Sequence, residues 1–208
     1  MSSAPPDLVT KVPGLAWGPD VRIKTQTLSF YPGAEILACR DPSWAPANLF
    51  IYALKQGSSL CWLNGTSPPI KEFNAAGNLS LSDENALDYL KFFCFFVRGE
   101  EGPFYVVDSL NAPYLPDIIR DGADAGALPA VRTRFQERYQ SPRQFGKSGD
   151  GKWRISATIY YSNAVFVGDF LVGADGMVDM ADDTPILADI AAKISAPIIP
   201  DRPDSASS

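Results

Sequence analysis

Four phenylalanines within five residues, Phe92, Phe93, Phe95 and Phe96, constrain the fold of this chain more than any other feature. They lie in SDENALDYLKFFCFFVRGEEGPFYVVD, residues 82–108. Ser82 is a good N-cap, and Asp83 and Glu84 follow it in a first turn, against the positive end of a helix dipole. Leu87, Leu90, Cys94 and Val97 recur at helical spacing, Arg98 stands at the far end, and Gly99 can supply a left-handed cap. The spacing predicts a helix over 82–97. Its phenylalanines widen the apolar stripe almost all round, so the helix is buried on more than one side, with Leu90 and Phe93 in the core. At roughly 2–3 kcal/mol per buried ring, four rings rival the net stability of a small domain.

The flanking chain alternates as strands do. Residues 21–30 and 35–40 form one pair around Tyr31-Pro32-Gly33, and 49–54 and 58–63 form a hairpin around Gln56-Gly57. Ser67-Pro68 opens a short helix that Gly77 can stop. After the long helix, 104–108 reads as a strand. Residues 110–130, with Pro113, Pro116 and Pro129, read as a surface connection with one helical turn near 117–120. The last third alternates again over 131–139, 153–161, 164–172 and 177–181, with turns at Ser162-Asn163 and Asp175-Gly176. Trp153, Ile155, Ala157 and Ile159 share one face of their strand. The expected fold is α+β: a late four-stranded antiparallel meander on one long buried helix, with an additional N-terminal β-rich part. A sheet wrapped around its helix, as in cystatin-like folds, is one concrete version. Residues 1–19 read as a flexible arm and 20–192 as a single domain, with sub-parts 20–110 and 130–190. Residues 193–208 read as a disordered tail.

Composition narrows the chemistry. Histidine is absent from all 208 residues, which removes Ser-His-Asp and Cys-His catalysis, histidine metal sites and the usual pH switch. The net charge of −6 argues against nonspecific nucleic-acid binding by the molecule as a whole. No run approaches the ~20 apolar residues that span a bilayer, and no basic-then-apolar leader is visible at the N-terminus. Cys39, Cys61 and Cys94 are too few and too scattered for a disulfide framework or a zinc site, so they are expected to be reduced, buried thiols of a cytoplasmic protein. No glycine-rich phosphate loop is present, and no cofactor is expected.

The segments FFCFFVRGEEGPF and YYSNAVFVGDFLVGADGMVDMADD resemble a family of uncharacterised bacterial hypothetical proteins. The resemblance spans roughly residues 21–188. It implies a bacterial, cytoplasmic, single-copy domain, and it carries no known activity and no site residues.

One constellation points to binding. Arg132, Arg134 and Arg138 alternate with Val131, Phe135 and Tyr139, which on a strand would set three guanidiniums on one face. Residues 131–154 hold seven basic side chains against two acidic ones, whereas the chain from Asp169 onward holds eight aspartates against two basic residues. Arginine forks suit carboxylates and phosphates, so this face is the candidate binding surface, with an acidic protein surface as partner. The plainer outcome is a solvated face whose arginines pair with neighbouring aspartates. Asp179, Asp182 and Asp183 lack the spacing of a calcium loop and read as solvated carboxylates. The charged knuckle 98–103 reads first as a chain reversal. Tyr160 and Tyr161, at a strand end, could serve a histidine-independent enzyme together with a buried carboxylate. These residues favour a non-enzymatic domain that binds another macromolecule; the alternative is a small-molecule-binding protein or an enzyme with a Tyr/carboxylate site between sheet and helix.

Overall fold

The computed structural model describes residues 5–12, 14–120 and 129–190, with 197 and 199. The described chain separates between Ser80 and Leu81 into two compact units, each with its own antiparallel sheet.

The first unit begins with a helix, α1 (Pro6–Lys11), and continues through strands β1 (Arg22–Thr27), β2 (Ala34–Arg40), β3 (Ile51–Gln56) and β4 (Ser59–Leu63) to α2 (Ser67–Phe73). The strands pair in chain order, and the β3–β4 hairpin turns at Gly57, whose φ of 56° lies in the left-handed region a side chain disfavours. One face of the sheet (Leu37, Cys39, Ile51, Ala53, Leu60) packs with Leu8 and Val12, Trp44 and Leu49. The N-terminal stretch read as a flexible arm therefore contributes core. Leu8 and Val12 sit one helical turn apart and bury completely, and Trp17 meets the edge of Trp44 at 5.1 Å. The proline- and serine-rich composition hid that apolar pair. The short helix expected here is α2, but its N-cap is Thr66 rather than Ser67, which is already the first helical residue; the helix buries Ile70 and Phe73. Gly77, at φ 82°, ends the helical turns that follow.

The second unit holds α3 (Ala86–Phe96), β5 (Tyr105–Val106), α4 (Asp117–Arg120), α5 (Pro129–Arg138) and strands β6 (Arg143–Lys147), β7 (Trp153–Tyr161), β8 (Ala164–Val172) and β9 (Val178–Leu187). The helix α3 begins later than its sequence suggests. Residues 82–85 form a capping turn in which the Ser82 amide donates to Asn85 Oδ1 at 2.8 Å, and Asn85 takes the N-cap position. Leu90 and Phe93 are buried as expected, together with Tyr89, Phe92, Cys94 and Phe96. The Tyr89 hydroxyl donates to the Gly176 carbonyl at 2.8 Å and the Trp153 indole N–H to Asp83 at 2.7 Å, so the capping turn is tied to β7 and the first turn of α3 to the β8–β9 turn.

The chain leaves α3 at Val97 in an extended conformation rather than through a left-handed Gly99. Gly99 instead pairs its backbone with Gly102 around a two-residue turn. It must be glycine because a Cβ there would lie 2.8 Å from Tyr161 Cζ, in a ring stacked on Phe104.

Strands β6 to β9 form a four-stranded antiparallel meander as expected, with β6 (143–147) taking the place of the expected strand 131–139. One edge of β7 is shared end to end: β6 lies opposite Trp153 to Ser156, and β5 opposite Ile159 and Tyr160. Residues 131–139 contain no strand; they lie on α5 and its end. Val131, Phe135 and Tyr139, spaced by four, belong to the core cluster with Tyr160, Val165 and Ile186, and burying that stripe selects the helix over the strand. The same cluster takes in Ala112, Leu115 and Ile119, so the described part of the expected surface connection, 110–120, sends three side chains into the core while Asn111, Pro113 and Asp117 stay exposed; its helical turn is α4, and residues 121–128 lie outside the described residues. The expected tail, apart from residues 197 and 199, lies outside the described residues.

Candidate functional site

The second sheet carries a groove of about 780 Å³ on the face crossed by the end of α5. Its floor follows from strand register. The two-residue turn Ser162-Asn163 sets Tyr161 opposite Ala164, which places Ser156 opposite Asp169; Asp169 in turn faces Asp182 on β9, and Ser156 faces Arg143 on β6. The result is a polar row, Arg143–Ser156–Asp169–Asp182, across four strands. Arg154 stands two residues before Ser156, on the same side of β7.

Residues 137–140 at the end of α5 supply one wall. They are clamped by Thr158, which is fully buried: Oγ1 accepts from the Gln140 amide and donates to the Gln140 carbonyl, both at 2.9 Å, and the Thr158 amide donates to that carbonyl at 3.2 Å. The clamp holds Arg138 at the groove. Phe145 lies at its rim, 52% exposed, with the Arg143 guanidinium 5.0 Å from its ring centre.

Charge across the groove is divided. Arg138 and Arg154 face Glu137, Asp169 and Asp182, and all five side chains are exposed. Among the described residues, none of Arg138, Arg154 and Asp169 has an ion pair within 4 Å. Asp169 and Asp182 are direct cross-strand neighbours of like charge, an arrangement that destabilises a sheet unless a cation intervenes. Nearby, Lys152 spends its charge on Asp179 at 3.0 Å, and that bond raises the ammonium's pKa.

Of the three arginines singled out from sequence, only Arg138 lines this groove. On a helix Arg132 and Arg134 stand about 200° apart, so the three do not share a face; Arg134 and Arg138, four apart, do. Arg154, Asp169 and Phe145 are not among the candidates read from sequence, and Asp182 enters that reading only as a solvated carboxylate beside Asp179 and Asp183. The alternation of Arg154, Ser156 and Thr158 against the apolar face of β7, combined with the two-residue turn, carries the signal for the first two. Asp182 needed the irregular β8–β9 register, which shifts beside Asp169.

The other candidates are consumed by structure. Tyr160 is fully buried in the apolar cluster, and burial pushes its phenol up to about 12. The Tyr161 hydroxyl accepts the Glu101 amide at 3.0 Å. Tyr114 and Tyr139 lie near Asp108, but their hydroxyls donate to the carbonyls of Val106 and Val107, and burial raises both phenols. Asp41 is the one buried charged side chain among the described residues. It accepts from the Ser43 hydroxyl and amide at 2.6 and 2.8 Å and from the Gly18 amide at 3.0 Å, and these bonds, led by Ser43, hold it below its ordinary pKa. Among the described residues no three His, Cys, Asp or Glu side chains gather as a metal site. Asp182 and Asp183, adjacent on β9, fall on opposite faces of the strand. No helix among the described residues is long and apolar enough to cross a membrane.

All three cysteines are free. Burial pushes the thiols of Cys39 and Cys61 up to about 11 and that of Cys94 to about 12, and the Cys61 thiol donates to the Pro69 carbonyl. Since the thiolate is the nucleophile, a neutral-pH thiol reagent is expected to label the native protein slowly and the unfolded protein at all three positions. Rapid labelling of one native cysteine, by mass spectrometry, would identify an activated thiol instead.

Set against protein-family models, curated proteins and solved structures, the chain matches none of them.

Proposed function

We propose that this protein is a non-enzymatic cytoplasmic binding domain that takes an extended segment of another protein into the groove on its second sheet. The observation that carries this reading is the set of exposed charges without ion pairs, Arg138, Arg154 and Asp169, beside the half-exposed ring of Phe145. A bound peptide would offer an acidic side chain to Arg138 and Arg154, a basic one to Asp169 and Asp182, and an apolar one to Phe145. Charge-assisted hydrogen bonds to guanidinium would give orientation and selectivity, and the ring would give contact area. The hydroxyls of Tyr114, Tyr139 and Tyr161, committed to backbone partners, and the burial of Tyr160 favour binding over acid–base chemistry. The three free thiols, those of Cys39 and Cys94 buried and that of Cys61 half-buried, favour a reducing compartment.

Selection of peptides on the full-length protein from a randomised displayed library tests this. Selected peptides are expected to carry an acidic residue and to bind less tightly as salt rises. Arg154→Ala should weaken them about tenfold, corresponding to about 1.4 kcal/mol, with an unchanged thermal melt. Peptides that bind the Arg138→Ala/Arg154→Ala variant as tightly as the parent, or a library that yields none, would overturn the proposal.

A further inference from the structure

The two outer strands of the first sheet are finished differently. β4 is flanked by α1 and α2, and its Leu60 carbonyl accepts from the Lys11 ammonium. β1, at the other end, is bare. Ile23 is partly buried, the rest of the strand is exposed, and among the described residues only β2 hydrogen-bonds to it. A free edge offers a row of backbone N–H and C=O groups to any further strand, and proteins ordinarily blunt it with charge, proline or a bulge. The second sheet does so at β9, which carries Asp179, Asp182, Asp183 and Pro185 and shifts register twice against β8. β1 holds no proline and runs from Arg22 opposite Arg40 to Thr27 opposite Glu35 without a shift. Its charges, Arg22 and Lys24, do not close the edge but limit which strand fits it.

Symmetry makes that limit specific. Two copies that pair antiparallel along one edge are related by a two-fold axis normal to the sheet, so residues of the same face meet and the axis passes through one residue and its own copy. Centred on Ile23, the pairing sets Arg22 against Lys24 of the second copy; centred on Lys24, it sets two lysines together. Like charges directly opposite destabilise a pair. Centred on Gln26, it engages only 25–27 of the strand. Centred on Thr25, it engages 23–27, with Thr25 on Thr25, Ile23 on Thr27 and Lys24 on Gln26, and no like charges meet. The run Ile23-Lys24-Thr25-Gln26-Thr27 is self-complementary in this register: β-branched side chains line one face, and on the other each ammonium meets an amide.

We propose that the β1 edge is a homodimer interface, in which two copies pair antiparallel about a two-fold axis at Thr25 and join their four-stranded sheets into one. The backbone edge fixes the kind of partner, an extended strand, and the self-complementary pattern selects a second copy over a foreign one. So short an edge buries less than the roughly 1,200 Å² at which stable interfaces begin, so the dimer is weak and reversible. The inference does not depend on the peptide groove, which lies in the other unit and shares no residue with β1.

The experiment is sedimentation velocity of the full-length protein from low to high micromolar concentration. The parent is expected to pass from monomer to dimer across that range. Thr25 is exposed, so Thr25→Lys should leave the thermal melt unchanged while it sets two like charges against each other at the axis. It should raise the dissociation constant at least about tenfold, and Thr25→Glu should do the same. An equal mixture of the two variants places opposite charges at the axis and should restore the dimer. A parent that stays monomeric throughout would overturn the proposal and leave the edge to a strand of another protein. A dimer that tolerates both variants would place the interface on another surface, and a mixture that stays monomeric would show that the two Thr25 positions do not meet.

Discussion

Replacing Phe93 by alanine is expected to destabilise the second unit by about 3–5 kcal/mol, the range for truncating a buried phenylalanine in a packed core. Phe93 is buried in the middle of α3, one helical turn after the fully buried Tyr89, whose ring lies 6.2 Å away. Tyr89 also holds the Gly176 carbonyl through its hydroxyl, so a cavity at Phe93 loosens a side chain that anchors the helix to the β8–β9 turn. Against a typical total stability of about 5–15 kcal/mol, this loss threatens folding outright. Thermal or urea denaturation followed by circular dichroism is the measurement. A midpoint lowered by about 10 °C or more is expected, and a midpoint equal to the parent's would remove α3 from the core.

Phe135→Ala is expected to cost a similar amount, about 3–5 kcal/mol, through a different route. Phe135 is fully buried, whereas Thr133, Arg134, Gln136, Glu137 and Arg138 around it are exposed. A ten-residue helix is marginal alone, so α5 depends on the stripe of Val131, Phe135 and Tyr139 that docks it into the core. Without the ring, α5 should detach and take the groove wall at 137–140 with it. Amide hydrogen exchange should therefore accelerate in α5 before it accelerates in β7, and peptides selected on the groove should lose affinity together with that protection. Unchanged exchange in α5 would show that the helix is held by something other than its apolar stripe.

These two positions mark how far local sequence reading reaches. Phe93 is legible because α3 carries every signal at once: a polar capping segment, acidic residues early, apolar positions at helical period and a glycine-rich exit. Even there the start falls at Ala86, because Asn85 and Ser82 make a turn of their own. Phe135 is legible only by choosing between two periods. Val131, Phe135 and Tyr139 fit spacing four, while Arg132, Arg134 and Arg138 fit spacing two, and local pattern does not decide between them. The choice belongs to Tyr160, Val165 and Ile186, which supply the apolar surface that the spacing-four stripe buries.

The sequence by itself determined the α+β class, the β3–β4 and β7–β8 hairpins, the burial of α3 and the exclusion of histidine chemistry. Each rests on local backbone preference, side-chain periodicity or the simple absence of a functional group. Tertiary structure alone decided that the N-terminal stretch would enter a core, that 131–138 would coil rather than extend, and that Arg143, Ser156, Asp169 and Asp182 would form one row. The physical reason is that these outcomes depend on which apolar surface is available to be covered and on strand register. Both are set by contacts between residues far apart in the chain, whose burial outweighs the weak local preferences of the segments themselves.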